Sequence, residues 1–93
     1  MQFPLIHLNG TDADSLLADQ CDIARALREA LEVMAQNGPH ARDYYPLAAG
    51  AYETARAQHR NRIIAVRAVL LDVERMAEYL AADPHTQLEM RKA

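Results

Sequence analysis

Residues 47–82 read LAAGAYETARAQHRNRIIAVRAVLLDVERMAEYLAA, and the fold turns on how this stretch is understood. Tyr52, His59, Val66, Val73 and Leu80 recur every seven residues. Ile63, Leu70 and Ala77 make a second such column, and Val69 and Met76 a third. Columns of this kind share one side of a helix, so the spacing predicts one long helix from Leu47 to about Ala82 with an apolar stripe. Gly50 could shift its start toward Ala51. Arg56 and His59 interrupt the upper end of the stripe, which is therefore no ordinary core seam.

Upstream, residues 12–36 repeat the pattern. Leu16, Ile23 and Ala30 form one column, Leu17, Ala24 and Leu31 another, and Leu27 and Met34 a third. Thr11 stands where an N-cap belongs, with Asp14 three residues later as in a capping box. Asp12 and Asp14 suit the positive end of the helix dipole. Asn37 and Gly38 form a C-cap, and Pro39 prevents continuation.

The connector GPHARDYYP, Gly38 to Pro46, has nine residues, above the roughly two to eight usual between bundle helices. Pro46 suits the first turn of the next helix. Residues 1–10 form an extended arm, because Pro4 disfavours helix around it. Its apolar Phe3, Leu5, Ile6 and Leu8 would lie on the far end of helix 2. The chain is thus expected to be all-α: one domain over residues 1–83, an antiparallel two-helix hairpin with an extended N-terminal arm, followed by a tail at 84–93.

At 1.5 Å per residue the two helices would be roughly 37 Å and 54 Å long. Helix 2 would then overshoot the start of helix 1, leaving Val73, Met76 and Leu80 for the arm to cover, in cis or on a neighbouring subunit. His59 would face the region from Cys21 to Leu27. Ile64 and Leu71 sit about 140° from the main stripe, flanked by Ala57 and Ala68. A second apolar face on a short helix marks an interface, and small scaffolds need a staple or self-association. The expectation is a helical homo-oligomer, with Ile64, Leu71, Phe3 and Ile6 at the interface.

The formal charge is −3, which gives no global reason to expect nucleic acid or an anionic membrane. Residues 11–36 carry six acids and two arginines, whereas residues 40–69 carry Arg42, Arg56, Arg60, Arg62 and Arg67 against Asp43 and Glu53. Pairing with the acids of helix 1 would make the basic segment a solvated face. Alternatively, guanidinium forks recognise phosphate or carboxylate. Arg42, Tyr44, Tyr45, Arg56, His59 and Arg60 cluster around one end of the hairpin and form the candidate ligand site. Arginine grips phosphate and tyrosine stacks on flat rings, a combination suited to a nucleotide-like ligand.

No cofactor and no metal site is expected, since the four histidines lack ligand spacing. Ser15 and Cys21 are possible nucleophiles without a recognisable base and acid, so the chain is not read as an enzyme. Cys21 is the single cysteine and falls on an apolar face, where a buried thiol is expected. Reducing cytoplasm is the simpler compartment. No apolar run reaches the roughly 20 residues of a membrane span.

HLNGT at His7–Thr11, RDYYP at Arg42–Pro46 and QHRNR at Gln58–Arg62 together resemble a set of small phage and prophage proteins. The likeness covers residues 3–82 and implies origin rather than activity, with the bacterial host's cytoplasm as location. In size and layout alone, the chain is also similar to phage anti-CBASS sponge proteins, small helical hairpins with N-terminal extensions. That resemblance implies an oligomer that sequesters a cyclic nucleotide signal. It carries no site residue. The competing reading is an adaptor hairpin that binds another protein through its surplus apolar face.

Overall fold

The computed structural model describes residues 1–6 and 12–82. Expectations for Leu8, for Thr11 and for the 84–93 tail lie outside the described residues. Among the described residues there are three helices: α1 (Ala13–Gln36), α2 (Ala41–Tyr44) and α3 (Ala51–Ala81). There is no strand among the described residues, and the architecture is all-α, with α1 and α3 as its two long helices.

The cap of α1 is Asp12. Its Oδ1 accepts from the Ser15 backbone N–H at 2.8 Å, and its Oδ2 from the Ser15 hydroxyl at 3.2 Å. The helix thus starts one residue beyond the expected Thr11 cap, because an aspartate satisfies the orphan N–H as well as a threonine does. At the other end the Asn37 N–H donates to the Met34 carbonyl at 3.3 Å.

Helix α3 does not begin at Leu47. Gly50 adopts φ 89°, ψ −5°, a left-handed conformation that glycine reaches without Cβ strain. Residues 48–50 therefore form a turn, in which the Ala51 N–H reaches the Ala48 carbonyl at 3.1 Å. Pro46 lies in the bend before it rather than in the first turn of the helix. The connector also contains the single helical turn α2, which residue periodicity over so short a stretch does not reveal. Four residues cannot display a 3.6 period.

Two side-chain contacts bracket the α1–α3 register. His59 meets Met34, and Arg28 approaches Glu74 at 3.8 Å. Continuing that register brings the start of α1 level with the end of α3. The expected overshoot at Val73–Leu80 is thus corrected: α3 projects past α1 at its other end, around Ala51–Arg56. The cause is the connector, which climbs beyond α1 before α3 begins and lays α2 against α3.

The seam takes Leu17, Gln20, Ala24, Leu27, Leu31 and Met34 from α1, all buried or half-buried. From α3 it takes His59, Ile63, Val66, Leu70, Val73, Ala77 and Leu80. The alternating three- and four-residue steps are those of antiparallel helices packed side by side. The core is thin. Among the described residues only Ala24, Leu70 and Leu80 of the hydrophobic side chains are buried, and none is fully enclosed.

The arm returns to the C-terminal end of α3 in the same chain. The Phe3 ring stacks on Tyr79 with centroids 4.4 Å apart and planes 25° from parallel. The Tyr79 hydroxyl donates to the Pro4 carbonyl at 3.2 Å. Ile6 is half-buried, whereas Leu5, expected to pack inward, is exposed. Cys21 is likewise exposed rather than buried. It lies one row outside the seam, beside Ala24 and Arg28 in a shallow groove with Glu74 and Ala77.

Candidate functional site

The connector end of the hairpin is organised by His59. Its Nε2 lies 2.7 Å from the Met34 carbonyl. A carbonyl oxygen only accepts, so Nε2 carries hydrogen and donates. Met34 belongs to the last turn of α1, whose carbonyls lack helical partners, and the imidazole supplies one. A Cβ built on Gly38 would stand 3.4 Å from His59 Cδ2, so the connector passes close over the ring. His59 therefore faces Met34 and Gly38 rather than Cys21–Leu27. The displacement follows from α3 projecting past α1 at this end.

Two open clefts flank His59. One, of about 290 Å³, is lined by Gly38, Pro39, Tyr52, Arg56, Arg60 and Ile63 with the imidazole. The other, of about 250 Å³, is lined by Asn37, Pro39, Tyr44, Gln58 and Arg62 with the imidazole. Helix geometry explains the division. Arg56 and Arg60 are four apart and share a face, whereas Arg60 and Arg62 are about 200° apart and fall on opposite sides.

The arginines differ in their partners. The Arg56 Nη1 lies 3.4 Å from Glu53 Oε2, and its guanidinium carbon sits 5.6 Å above the Tyr52 ring, within cation–π reach. Arg42, Arg60, Arg62 and Arg67 have no acid within ion-pair distance among the described residues. The ion pair between α1 and α3 runs the other way, from Arg28 to Glu74. Among the described residues no acid of helix 1 pairs with an arginine of the basic segment of α3, in which Arg56 alone has an acidic partner, Glu53.

Of the six residues expected to form the ligand site, Tyr44, Arg56, His59 and Arg60 line the two clefts. The tyrosines diverge. Tyr44 packs toward Tyr52, rings 6.2 Å apart and tilted by 42°, while Tyr45 is 88% exposed. Arg42, on α2, is exposed and lines neither cleft. Tyr52, Gln58 and Asn37 also line the clefts, outside the residues expected there. Tyr52 was legible as a ring four residues before Arg56. Asn37 and Gln58 carried no signal, since each comes to the site through the fold.

Among the described residues no three histidine, cysteine or acidic side chains gather as a metal set. No described helix is long and apolar enough to cross a membrane. No protein-family model, curated protein or solved structure matches this chain.

Proposed function

We propose that this chain is a non-enzymatic, homo-oligomeric binding protein that captures a phosphate-bearing small molecule of nucleotide type. The observation that carries the reading is the cleft beside His59. It holds Arg56 and Arg60 one helical turn apart, with Glu53 as the ion-pair partner of Arg56 and none for Arg60 among the described residues. Like charges at this spacing oppose helix stability by a few tenths of a kcal/mol. An anion bound between them would reverse that sign through charge-assisted hydrogen bonds.

In this reading Arg60 grips the phosphate, and Arg56 joins it by exchanging Glu53 for the ligand. Tyr45, whose ring is free of the Tyr44–Tyr52 pair, stacks on the base. Arg42 extends the positive field from α2. His59 keeps its Nε2 bond to Met34 and holds the two helix ends in place. At about 290 Å³, the cleft sits at the lower edge of the roughly 300–1,000 Å³ of small-molecule sites, so a small anion or part of a larger nucleotide fits. No bond is broken, and the ligand is released intact. The likeness to phage sponge proteins makes sequestration of a host nucleotide signal the role to test first.

Calorimetry against mononucleotides, cyclic dinucleotides and cyclic trinucleotides tests this. At least one class should give heat that Arg60→Ala abolishes and Tyr45→Ala weakens. Absence of heat from every member at about 100 micromolar, an affinity ceiling of about 5.5 kcal/mol, would favour the adaptor reading. Binding that survives both substitutions would keep the class of function and refute the site.

A further inference from the structure

The thin core leaves a whole face of the hairpin open. On α1 the residues Ile23, Ala26, Ala30 and Val33 follow three-four spacing in a row outside the seam, all of them exposed. On α3 the residues Arg62, Ala65, Val69, Asp72 and Met76 do the same, all exposed but Met76. Each row precedes its seam row in the same rotational sense. In an antiparallel pair this puts both on one face of the hairpin. The groove that brings Cys21, Ala24 and Arg28 together with Glu74, Ala77 and Glu78 marks the opposite, charged face. Ile23 at 44%, Val33 at 57% and Val69 at 51% exposure are large apolar groups gathered in one patch, which signals an interface rather than scattered surface residues.

We infer that this face binds a second copy of the same chain, forming a two-fold four-helix bundle. The identity of the occupant is argued from self-complementarity. Place a two-fold axis across the hairpin at Ala30 on α1 and midway between Ala65 and Val69 on α3. Counted from the Met34–His59 contact the residue level with Ala30 is Ile63, counted from Arg28–Glu74 it is Asp72, and the axis is placed midway between them. The axis sets Ala30 against its own copy and Ala26 against the partner's Val33. It sets Ala65 against the partner's Val69. Large thus meets small where Ala26 faces Val33 and Ala65 faces Val69, as interdigitating helices require, and the Ala30 pair is small on both sides. The same axis brings Arg62 to the partner's Asp72. Arg62 has no acid within ion-pair distance among the described residues, and Asp72 is held loosely, 4.0 Å from Arg75. An isologous contact makes every such pair twice.

This inference does not rest on the nucleotide reading. The cleft of Arg56 and Arg60 lies on the other face and stays open in the dimer. Ile64 and Leu71, also exposed, lie on the outer side of α3 and are not part of this contact.

Light scattering on the full chain at micromolar concentration tests it, with circular dichroism as the check on folding. The expected mass is twice that of one chain. Ala30→Glu with Val69→Glu should halve it at unchanged helix content. Arg62→Asp and Asp72→Arg should each raise the dissociation constant at least tenfold, and the two together should restore it, a rescue that a folding defect would not give. A monomeric wild type overturns the inference. So does a charge exchange without rescue, or a mass that falls with Ile64→Glu and Leu71→Glu but not with the Val69 variant.

Discussion

His59 donates from Nε2 to the Met34 carbonyl across the seam, over 2.7 Å, and this bond joins the beginning of α3 to the end of α1. It also brings Arg56 and Arg60 to the level of the connector. A buried acceptor that loses its donor costs about 1–3 kcal/mol, against a net gain near 1 kcal/mol when the bond is made. Met34 retains the Asn37 N–H as a second donor, which places His59→Ala toward the lower part of that range. His59→Gln, with a donor at similar reach, should recover part of the loss. Urea unfolding followed by helix signal measures both. Equal stability of His59→Ala and the wild type would show that the contact contributes nothing to the register.

Gly50 makes a second, local prediction. Its φ of 89° costs an L-residue about 1–2 kcal/mol, and open space around it leaves a methyl group nothing to clash with or pack on. Gly50→Ala should therefore destabilise by backbone strain alone, by about that amount. Ala49→Gly, one residue earlier, serves as the comparison. A neutral Gly50→Ala would mean that α3 can start earlier, as the apolar pattern from Leu47 first suggests.

These two residues show what could be read from the sequence. The seven-residue columns through Leu17, Ala24 and Leu31 and through Val66 and Val73 mark the two long helices, because heptad periodicity over many turns leaves one geometry. Pro39 marked the end of α1 for the same kind of local reason. The register was not legible. It depends on how far the connector climbs before turning back, and that is set by α2 and the Gly50 turn, neither of which leaves a periodic trace. The misplacement of His59, and of the overhang of α3, followed from that one length. At the site, Tyr45 is exposed and lines neither cleft, whereas the arginines were visible as residue types. Their division into two clefts required the orientation of α3 about its axis. Sequence proximity groups Arg42 with them, although α2 holds it away from both clefts.

The arm offers a clean energetic test. Phe3 and Tyr79 stack at 4.4 Å, and such pairs contribute about 0.5–1.5 kcal/mol beyond the area they bury. A double-mutant cycle with Phe3→Leu and Tyr79→Leu should show a coupling energy in that range. Tyr79→Phe keeps the ring and removes the hydroxyl bond to Pro4, so it should cost about 1 kcal/mol. Deleting residues 1–6 should lower the melting temperature by more than either substitution. Independent effects of Phe3 and Tyr79 would show that the arm does not dock as described.

Asp12 gives the chain a pH-dependent term whose sign is fixed. The Ser15 backbone N–H, first among the causes, lowers its pKa below the ordinary aspartate value; partial desolvation opposes this, and the Ser15 hydroxyl adds to the lowering. A carboxyl with a lowered pKa binds fewer protons folded than unfolded in the interval between the two values. Its stabilisation is then fully present above the ordinary range, near pH 4, and is lost as pH falls through the lowered folded value. The difference in urea midpoint between wild type and Asp12→Ala should be largest at neutral pH and shrink as the solution is acidified past about pH 4. Asp12→Asn keeps an acceptor for the Ser15 N–H but does not titrate, so its gap from Asp12→Ala should stay nearly constant with pH. If the wild-type gap is equally flat, the cap acts through hydrogen-bond geometry alone and the charge at the start of α1 has no part in it.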